Sequence, residues 1–427
     1  MPTLRPRDPT RSRSAGAVLH HLLPARRRQV RDRHRPAAHR YPRRHPRRRR
    51  RSPTDMPPQP DHRRGEPMKR TVLLVAPSRG LGGGIERYAA AIEATLQTSG
   101  IACRRMDLRA PDRLGGLTSK ARFLGEVGRA VRSSSTPTRL VLAHRNLLPV
   151  VYPAARQRHY EGTTVILHGH ETWSDQRRRA CRIMRRADVR VVAGSSFTAG
   201  AIAPVCRAGV LHPGIAADWY RTLVDAARPE RAHTGRFDLV TAFRLGDWKS
   251  KGLPTLLEAL ELLGDDRVQL TVCGTGEVPS DLRDALAARP WATLAPNLTD
   301  GELAERLGRA DLFVLATRTR SGASASGEGF GLAMLEAQLA GTPVVAPAYG
   351  GSHDAFQQGF TGLSPVDESP QALRSAIATI LDDDRLRSRM ARAAAAWSRN
   401  RFDPAHYSEQ LIRTLLGNCN DKIGDYR

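Results

Sequence analysis

The sequence has 427 residues, roughly two to three times the length of an average domain, which predicts two globular domains with appended segments. The formal net charge is +26, but residues 1–67 contain 20 Arg, no Lys and five acidic residues and so carry +15 of it. The other 360 residues carry +11, an ordinary value for an enzyme of this size. This distribution argues against nucleic acid as the partner of the folded part.

The first 67 residues are predicted to be a disordered extension. They are dense in Arg, Pro and His and contain few aromatic or β-branched residues, so they cannot bury enough apolar surface to offset chain entropy. One interpretation is a polyanion-binding arm, with residues 43–51 as its densest run of Arg. We favour upstream sequence read in frame before the true start, because Met68, Lys69 and Arg70 lead directly into an apolar strand.

Cysteine usage and hydropathy predict a cytoplasmic protein without a structural metal site. The five cysteines are scattered and show no C-x-x-C spacing, so neither a disulfide framework nor a zinc site is indicated. No stretch approaches the roughly 18 uncharged apolar residues of a membrane span. The short apolar patch at residues 17–25 contains two histidines and a proline, which argues against a secretion signal.

A strand, a glycine turn and a helix open the folded part of the chain. Residues 71–78 form a continuous apolar run that ends at the glycine cluster 80–84 and leads into a helical pattern, as at the start of a parallel α/β domain. Further strand-like runs alternate with segments of helical composition, at residues 139–143, 163–168 and 189–193. We therefore expect a first Rossmann-like domain over residues 68–230.

A second α/β domain is predicted over residues 231–400, after a polar stretch at 229–235. Its strands are expected at residues 238–243, 268–273, 293–295, 312–316 and 344–346, with helices at 253–263, 280–289, 300–309 and 333–340. Amphipathic helices near 371–382, 385–397 and 407–416 finish the chain, and residues 401–427 comprise a helix that packs back towards the first domain, and a tail. Two successive doubly wound domains place a ligand in the cleft between them, at the carboxyl ends of the strands.

The segment from Gly327 to Ala337 contains two glutamates, Glu328 and Glu336, eight positions apart. The first lies in a glycine-rich turn and the second lies in the helix that follows. Glycines let the backbone approach a ligand closely, and the first turn of a helix offers unpaired N–H groups to an anion. Both carboxylates can accept hydrogen bonds from sugar hydroxyls, so the segment suits a phosphorylated sugar.

The whole segment resembles the E-x7-E signature of the retaining glycosyltransferases of family 4, the group 1 glycosyltransferases, whose fold is GT-B. The small-residue strand that follows it in that family matches residues 340–346. The resemblance implies that Glu328 contacts the transferred sugar and that Glu336 contacts the donor ribose. It also implies amides near the pyrophosphate from Gly329 and Gly331, and donor contacts from Phe330 and Leu332.

Two cations resemble the pair that neutralises the donor pyrophosphate in this family. Arg244 follows a strand, and Lys251 is followed by a glycine. A nucleoside diphosphate gains negative charge as the glycosidic bond breaks, so fixed cations at that point lower the barrier. The chain has five lysines among 68 basic residues, and Lys249 and Lys251 are two of them.

Further resemblances to the family add site residues. The family has a glycine loop facing the donor phosphates, matched here by Gly83 and Gly84, and a histidine near the transferred sugar, matched better by His168 than by His170. A glycine turn near the nucleotide and the base pocket are matched by four further positions, Gly274, Gly276, Asn297 and Leu298.

The resemblance implies transfer of a sugar from a nucleotide-diphosphate sugar to a hydroxyl acceptor, with the leaving phosphate deprotonating the acceptor on the same face. It requires no side-chain nucleophile, no cofactor and no metal. The donor base, the donor sugar and the acceptor stay open, with a glycan, a glycolipid and a small molecule as the acceptor classes.

Arginines crowd residues 177–186 and suit peripheral contact with an anionic membrane at its inner face. The alternatives are a nucleotide-sugar epimerase or a phosphorylase on the same fold, or a polyanion-binding protein that uses the arginine arm.

Overall fold

Both predicted α/β halves are present. The computed structural model describes residues 70–80, 83–109, 117–169, 172, 177–228, 235–320 and 325–417, with only the backbone at 117, 118 and 177–179. All of these belong to one compact unit, Gly65–Arg427. The disorder predicted for residues 1–67, the tail after residue 417 and His170 lie outside the described residues.

The first sheet has six parallel strands in the order β2-β1-β3-β4-β5-β6. Its strands are β1 (Thr71–Ser78), β2 (Ala102–Arg109), β3 (Thr138–Leu142), β4 (Tyr160–Leu167), β5 (Val189–Ala193) and β6 (Gly209–Val210). The direction of winding reverses between β1 and β3. In open α/β sheets, ligands bind beyond the carboxyl ends of the strands at such a reversal.

The second sheet also has six parallel strands, in the order β12-β11-β10-β7-β8-β9. Its strands are β7 (Phe237–Arg244), β8 (Val268–Thr275), β9 (Ala292–Pro296), β10 (Leu312–Val314), β11 (Val344–Val345) and β12 (Gly362–Leu363). Here the reversal lies between β7 and β10. The chain leaves these two strands at Arg244 and just before Thr317, which are both cleft residues.

Helices cover both sheets. In the first half these are α1 (Gly84–Thr98), α2 (Leu117–Arg132), α3 (Val151–Ala154), α4 (Arg177–Met184) and α5 (Ser196–Ile202). The next helix, α6 (Ala217–Asp225), packs in the core of the second half, where Trp219 and Leu223 are buried. In the second half the others are α7 (Leu253–Leu263), α8 (Ser280–Ala287), α9 (Asp300–Arg309), α10 (Leu332–Leu339), α11 (Pro370–Leu381) and α12 (Asp384–Arg401), and α13 (Pro404–Leu416) ends the described chain. In the described part of the chain, no helix combines the length and the apolar composition that crossing a bilayer demands.

Apolar side chains on both faces of each sheet form the cores. The central strands are buried along almost their whole length, as parallel strands covered by helices require. The last helix, α13, packs with the first sheet although it follows the second: Tyr407, Leu411 and Leu415 are buried against β1 and α1. The Thr164 hydroxyl on β4 also donates to the Leu415 carbonyl at 2.8 Å.

The structure confirms the predicted fold class of two doubly wound parallel halves. The strands expected near residues 71–78, 163–168, 238–243 and 268–273 correspond to β1, β4, β7 and β8. Three edge strands, β2, β6 and β12, were absent from the prediction.

Candidate active site

A cleft of about 1510 Å³ lies between the two halves, beyond the carboxyl ends of their strands. Ten of the fifteen residues predicted from sequence line it: Gly83, Gly84, His168, Arg244, Lys251, Glu328, Gly329, Phe330, Gly331 and Leu332. The other five, Gly274, Gly276, Asn297, Leu298 and Glu336, lie outside the lining of this cleft. The structure therefore brings both cations and the first glutamate of the E-x7-E segment into one cavity.

Glu328 is held by two side chains of the second half. Lys251 Nζ lies 2.9 Å from Glu328 Oε2, and Thr317 Oγ1 donates to the same oxygen at 3.2 Å. The Glu328 side chain is 12% exposed and that of Lys251 is 27% exposed. Within the described chain no hydrogen bond is recorded to the other carboxylate oxygen, Oε1, which is available to a ligand hydroxyl.

Arg244 meets the glycine loop of the first half. It is the last residue of β7, and its guanidinium lies so close to Gly83 that a Cβ at that position would collide with Nη2. Gly83 also has a φ of 110°, in the region that favours glycine. Glycine at this position therefore lets the start of α1 approach a cation of the opposite half.

Gly329 makes a second close approach between the halves. A Cβ at Gly329 would collide with the backbone carbonyl oxygen of His168, which follows β4. The His168 ring is fixed in turn, because Nε2 lies 2.7 Å from the Ala143 carbonyl oxygen and the ring packs edge-on against Tyr88 at 6.1 Å. The loop that carries Glu328 is thus seated directly on the strand end that carries His168.

The amino terminus of α10 opens into the cleft. Gly331 caps this helix with a φ of 94°, and Leu332 and Ala333 in its first turn line the cavity. The first amides of a helix have no partner within the helix and carry partial positive charge. Phe330 contributes its backbone, because its ring is 4% exposed and stacks on His212 at 5.4 Å.

Glu336, the second glutamate, is buried on α10, one turn after the cleft-lining Leu332 and Ala333. Its Oε1 accepts from Trp219 Nε1 at 2.9 Å and from Arg87 Nη1 at 3.1 Å. Burial raises the pKa of the Glu336 carboxyl, and the Arg87 charge and the two hydrogen bonds oppose that rise without cancelling it. The geometry presents this carboxylate as a fixed, desolvated acceptor.

The glycine turn after β8 is joined to the turn after β9. Asn297 Oδ1 accepts from the Gly276 amide at 2.9 Å, and the Asn297 amide donates to the Gly274 carbonyl at 2.7 Å. Asn297 has a φ of 53°, a conformation that asparagine tolerates better than most residues. Leu298 is partly buried against the second-half core. Gly274 adjoins the cleft, because it pairs with Phe243 of β7, which lines it.

Three residues in contact with the two glutamates were missed by the sequence analysis: Arg87, Trp219 and Thr317. Arg87 adjoins the glycine loop 80–84 that was singled out, so its position was a usable signal. Trp219 and Thr317 lie outside every motif, and only the folding of the chain brings them to the glutamates. Among the described residues, no group of three or more His, Cys, Asp and Glu side chains is arranged to hold a metal ion.

Asp354 connects the second half to the first beside the cleft. Its carboxylate accepts from the Ser196 amide at 2.5 Å and from the Ser196 hydroxyl at 2.6 Å, and it lies 3.1 Å from His212 Nε2. Burial alone would raise the pKa of Asp354, but the bonds from His212 and Ser196 outweigh it and lower the pKa to about 2.

We expect Asp354→Asn to reduce the free energy of unfolding at neutral pH by about 2 kcal/mol, because the folded state binds the ionised carboxylate more favourably than the unfolded chain does. A folded-state pKa below the unfolded value gives stabilisation that is present above about pH 4 and is lost as the pH falls through about 2. Urea unfolding of the wild type and of Asp354→Asn over this pH range measures the difference between their free energies of unfolding. A stability difference that stays constant down to the lowest pH would contradict the assignment.

Comparison with known proteins gives concordant findings. Residues 228–397 match the family model of the glycosyl transferases group 1. A GDP-mannose-dependent alpha-(1-6)-phosphatidylinositol monomannoside mannosyltransferase of Mycobacterium tuberculosis is 29% identical over 273 residues, which are 58% of this chain and 68% of the relative. A D-inositol 3-phosphate glycosyltransferase of Streptomyces scabiei is 29% identical over 236 residues, 50% of this chain and 51% of the relative.

A solved structure supports the fold. The crystal structure of Anabaena HepE in complex with UDP and glucose superposes with a TM-score of 0.61 at 19% identity, covering 81% of this chain and 99% of that one. At this level of identity the likeness concerns the fold alone, which is GT-B.

Proposed function

We propose that this chain, which belongs to the group 1 glycosyl transferases, transfers a sugar from a nucleotide-diphosphate sugar to a hydroxyl acceptor with retention of configuration. The observation that carries the proposal is the shared cavity of Arg244, Lys251, Glu328 and the first turn of α10. An anionic diphosphate seated there meets two cations and the amide end of a helix, beside a carboxylate with a free oxygen.

The second half, residues 231–400, is assigned to the donor. Arg244, Lys251 and the amides after Gly331 take the pyrophosphate, Glu328 takes hydroxyls of the transferred sugar, and Glu336 takes the ribose. Lys251 has three N–H donors, so it can hold Glu328 and a phosphate oxygen together. The turns at Gly274–Gly276 and Asn297–Leu298 are assigned to the nucleotide, because the first pairs with the end of β7 at Arg244 and is bonded to the second through Asn297.

The reaction needs fixed positive charge more than it needs a nucleophile. As the bond between the anomeric carbon and the phosphate oxygen breaks, both electrons pass to the phosphate, and Arg244 and Lys251 stabilise the charge that develops. A phosphate oxygen accepts the proton of the acceptor hydroxyl, whose oxygen bonds the anomeric carbon on the same face. The products are the glycoside and the protonated nucleoside diphosphate. We assign His168, which follows β4, to contact with the transferred sugar.

The first half, residues 68–230, is assigned to the acceptor, which we propose carries a phosphate or another anionic group. Arg109, Lys120 and the buried Arg145 line this side of the cleft, and its lining among the described residues includes one carboxylate, Glu86, which is bonded by the Ser78 hydroxyl at 3.2 Å. Apolar side chains complete the wall: Phe123, Leu124, Leu147, Leu148 and Ile183. The names of both curated relatives specify acceptors that contain phosphate, which supports the same class here.

Peripheral contact with an anionic membrane from the cytoplasmic side is part of this proposal. Helix α4 places Ala180 and Ile183 in the cleft wall, while Arg182 on α4 and Arg185 and Arg186 directly after it are exposed. A phospholipid headgroup reaching the cleft from a bilayer would meet this basic surface first.

Release of nucleoside diphosphate tests the function. UDP-glucose, GDP-mannose and ADP-glucose are each incubated with the full chain, with and without a phosphorylated polyol or vesicles containing phosphatidylinositol. We expect one donor to release diphosphate faster with acceptor, an α-linked product from an α-linked donor by NMR, and unchanged turnover in EDTA, because cations and helix amides supply the charge. Conversion of a donor without diphosphate release would indicate an epimerase instead.

A further inference from the structure

Arg87 is a side chain of the first half that bonds two helices of the second. It lies on α1, and its Nη1 bonds Glu336 on α10 at 3.1 Å while its Nη2 bonds Asp300 on α9 at 2.9 Å. Its guanidinium also stands 5.2 Å from the centre of the Trp219 ring. The planar fork of arginine therefore joins three helices of both halves at one point.

Both hydrogen bonds to the Glu336 carboxylate are accepted by the same oxygen. Arg87 and Trp219 both donate to Oε1. In the described part of the chain no hydrogen bond is recorded to Oε2, so one oxygen is fixed by the protein and the other is left to accept from a ligand. Since Glu336 is 6% exposed, an oxygen held this way makes a strong, directional acceptor.

We infer that Arg87 is a positioning residue that keeps Glu336 ionised and oriented for the donor nucleotide, so that donor binding depends on contact between the two halves. The inference rests on the proposed function, because it takes Glu336 to be the carboxylate that accepts from the ribose. Its consequence is that a residue on the acceptor side of the cleft controls affinity on the donor side.

The charged groups around Glu336 determine the direction in which its pKa shifts when Arg87 is removed. Burial raises the pKa of this carboxyl, Arg87 and the Trp219 N–H lower it, and Asp300 raises it. Arg399 on α12 bonds the carbonyl oxygens of Val224 and Leu339 and does not act on the Glu336 carboxyl. Without Arg87 the carboxyl keeps its burial and its acidic neighbour, so its pKa rises further and the charged form is lost at a higher pH.

The test measures the Kd of UDP, GDP and ADP by calorimetry from about pH 5 to about pH 9 in the full chain and in Arg87→Met. We expect the variant to bind the preferred nucleotide about tenfold more weakly at the acidic end, with the gap closing as the pH rises, because one unit of pKa is one decade of affinity. Arg87→Lys, which keeps the charge, should follow the wild type more closely. Arg309→Met, on the exposed face of α9, is the matched control and should change nothing.

The outcomes of this test distinguish failure of the role inferred for Arg87 from failure of the proposed transferase function. Glu336→Gln cannot ionise, so in that background Arg87→Met should leave the pH profile flat. Uniform weakening across the pH range, or unchanged affinity, would show a merely structural role for Arg87 and overturn the inference while leaving the transferase intact. If the wild-type chain binds none of the three nucleotides, the proposed function itself fails. Melting temperatures identify a variant that does not fold, in which case Arg87→Lys in the Glu336→Gln background carries the comparison.

Discussion

Replacing Lys251 by Met should lower kcat/KM for sugar transfer by about 10²- to 10³-fold, the usual cost of removing one fixed group that stabilises transition-state charge. The change also frees Glu328, because Lys251 Nζ supplies one of its two hydrogen bonds, at 2.9 Å. Methionine keeps the length and apolar stem of lysine, so the folded state should survive. Initial rates at saturating acceptor, together with melting temperatures, measure the two effects separately.

Lys249 provides a matched control two positions away. Its side chain is 66% exposed, pairs with Asp281 at 2.6 Å and stands 5.1 Å from the centre of the Trp248 ring, outside the cleft lining. Exposed ion pairs contribute little, so Lys249→Met should leave kcat/KM within about twofold of the wild type. Equal losses in both variants would mean that general basicity of this loop, and not one placed ammonium, supports the reaction.

A single methyl group at Gly329 should reduce kcat/KM by about 10²-fold or more, because small displacements of a catalytic loop are costly. The added Cβ would collide with the His168 carbonyl oxygen, a backbone atom that cannot rotate away. Relief of the collision moves the loop that carries Glu328 or separates the halves at this point. The measurement is kcat/KM alongside the melting temperature for Gly329→Ala.

Gly246→Ala is the corresponding control. This glycine adjoins the same cleft, two positions after Arg244, but a Cβ there meets nothing within 4 Å. Activity should be retained. Full activity in Gly329→Ala as well would show that the contact between the Glu328 loop and His168 has no part in catalysis.

Much of the fold could be predicted because parallel strands buried on both faces are continuous apolar runs. β1 and β4 have this composition and were located within a few residues. β2 was missed because it is an edge strand whose sequence is largely charged: Arg105 and Asp107 pair with each other and Arg105 also pairs with Glu93 on α1. β6 and β12 have two residues each, too few for any periodicity.

The candidate site also contains residues that the sequence could identify and residues that it could not. Residues held by local motifs, such as Glu328 and Gly331, could be named because a glycine turn and the helix start after it are local features. The side chains that contact the two glutamates could not be named from the sequence. Glu336 meets Trp219 across 117 positions and Arg87 across 249, and contacts of that range depend on how the two halves face each other.

The path of the backbone has a mechanical consequence. Because α13 belongs to the core of the first half, the described polypeptide passes between the halves twice, once between β6 and α6, whose Trp219 and Leu223 are buried in the second-half core, and again at Phe402–Asp403. Two adjacent backbone crossings allow a hinge motion of the halves about the line that joins the crossings. They resist translation and twisting of one half against the other. Any widening of the cavity for substrate entry should therefore follow this axis, with Tyr407, whose hydroxyl donates to the His212 carbonyl at 2.8 Å, close to the pivot.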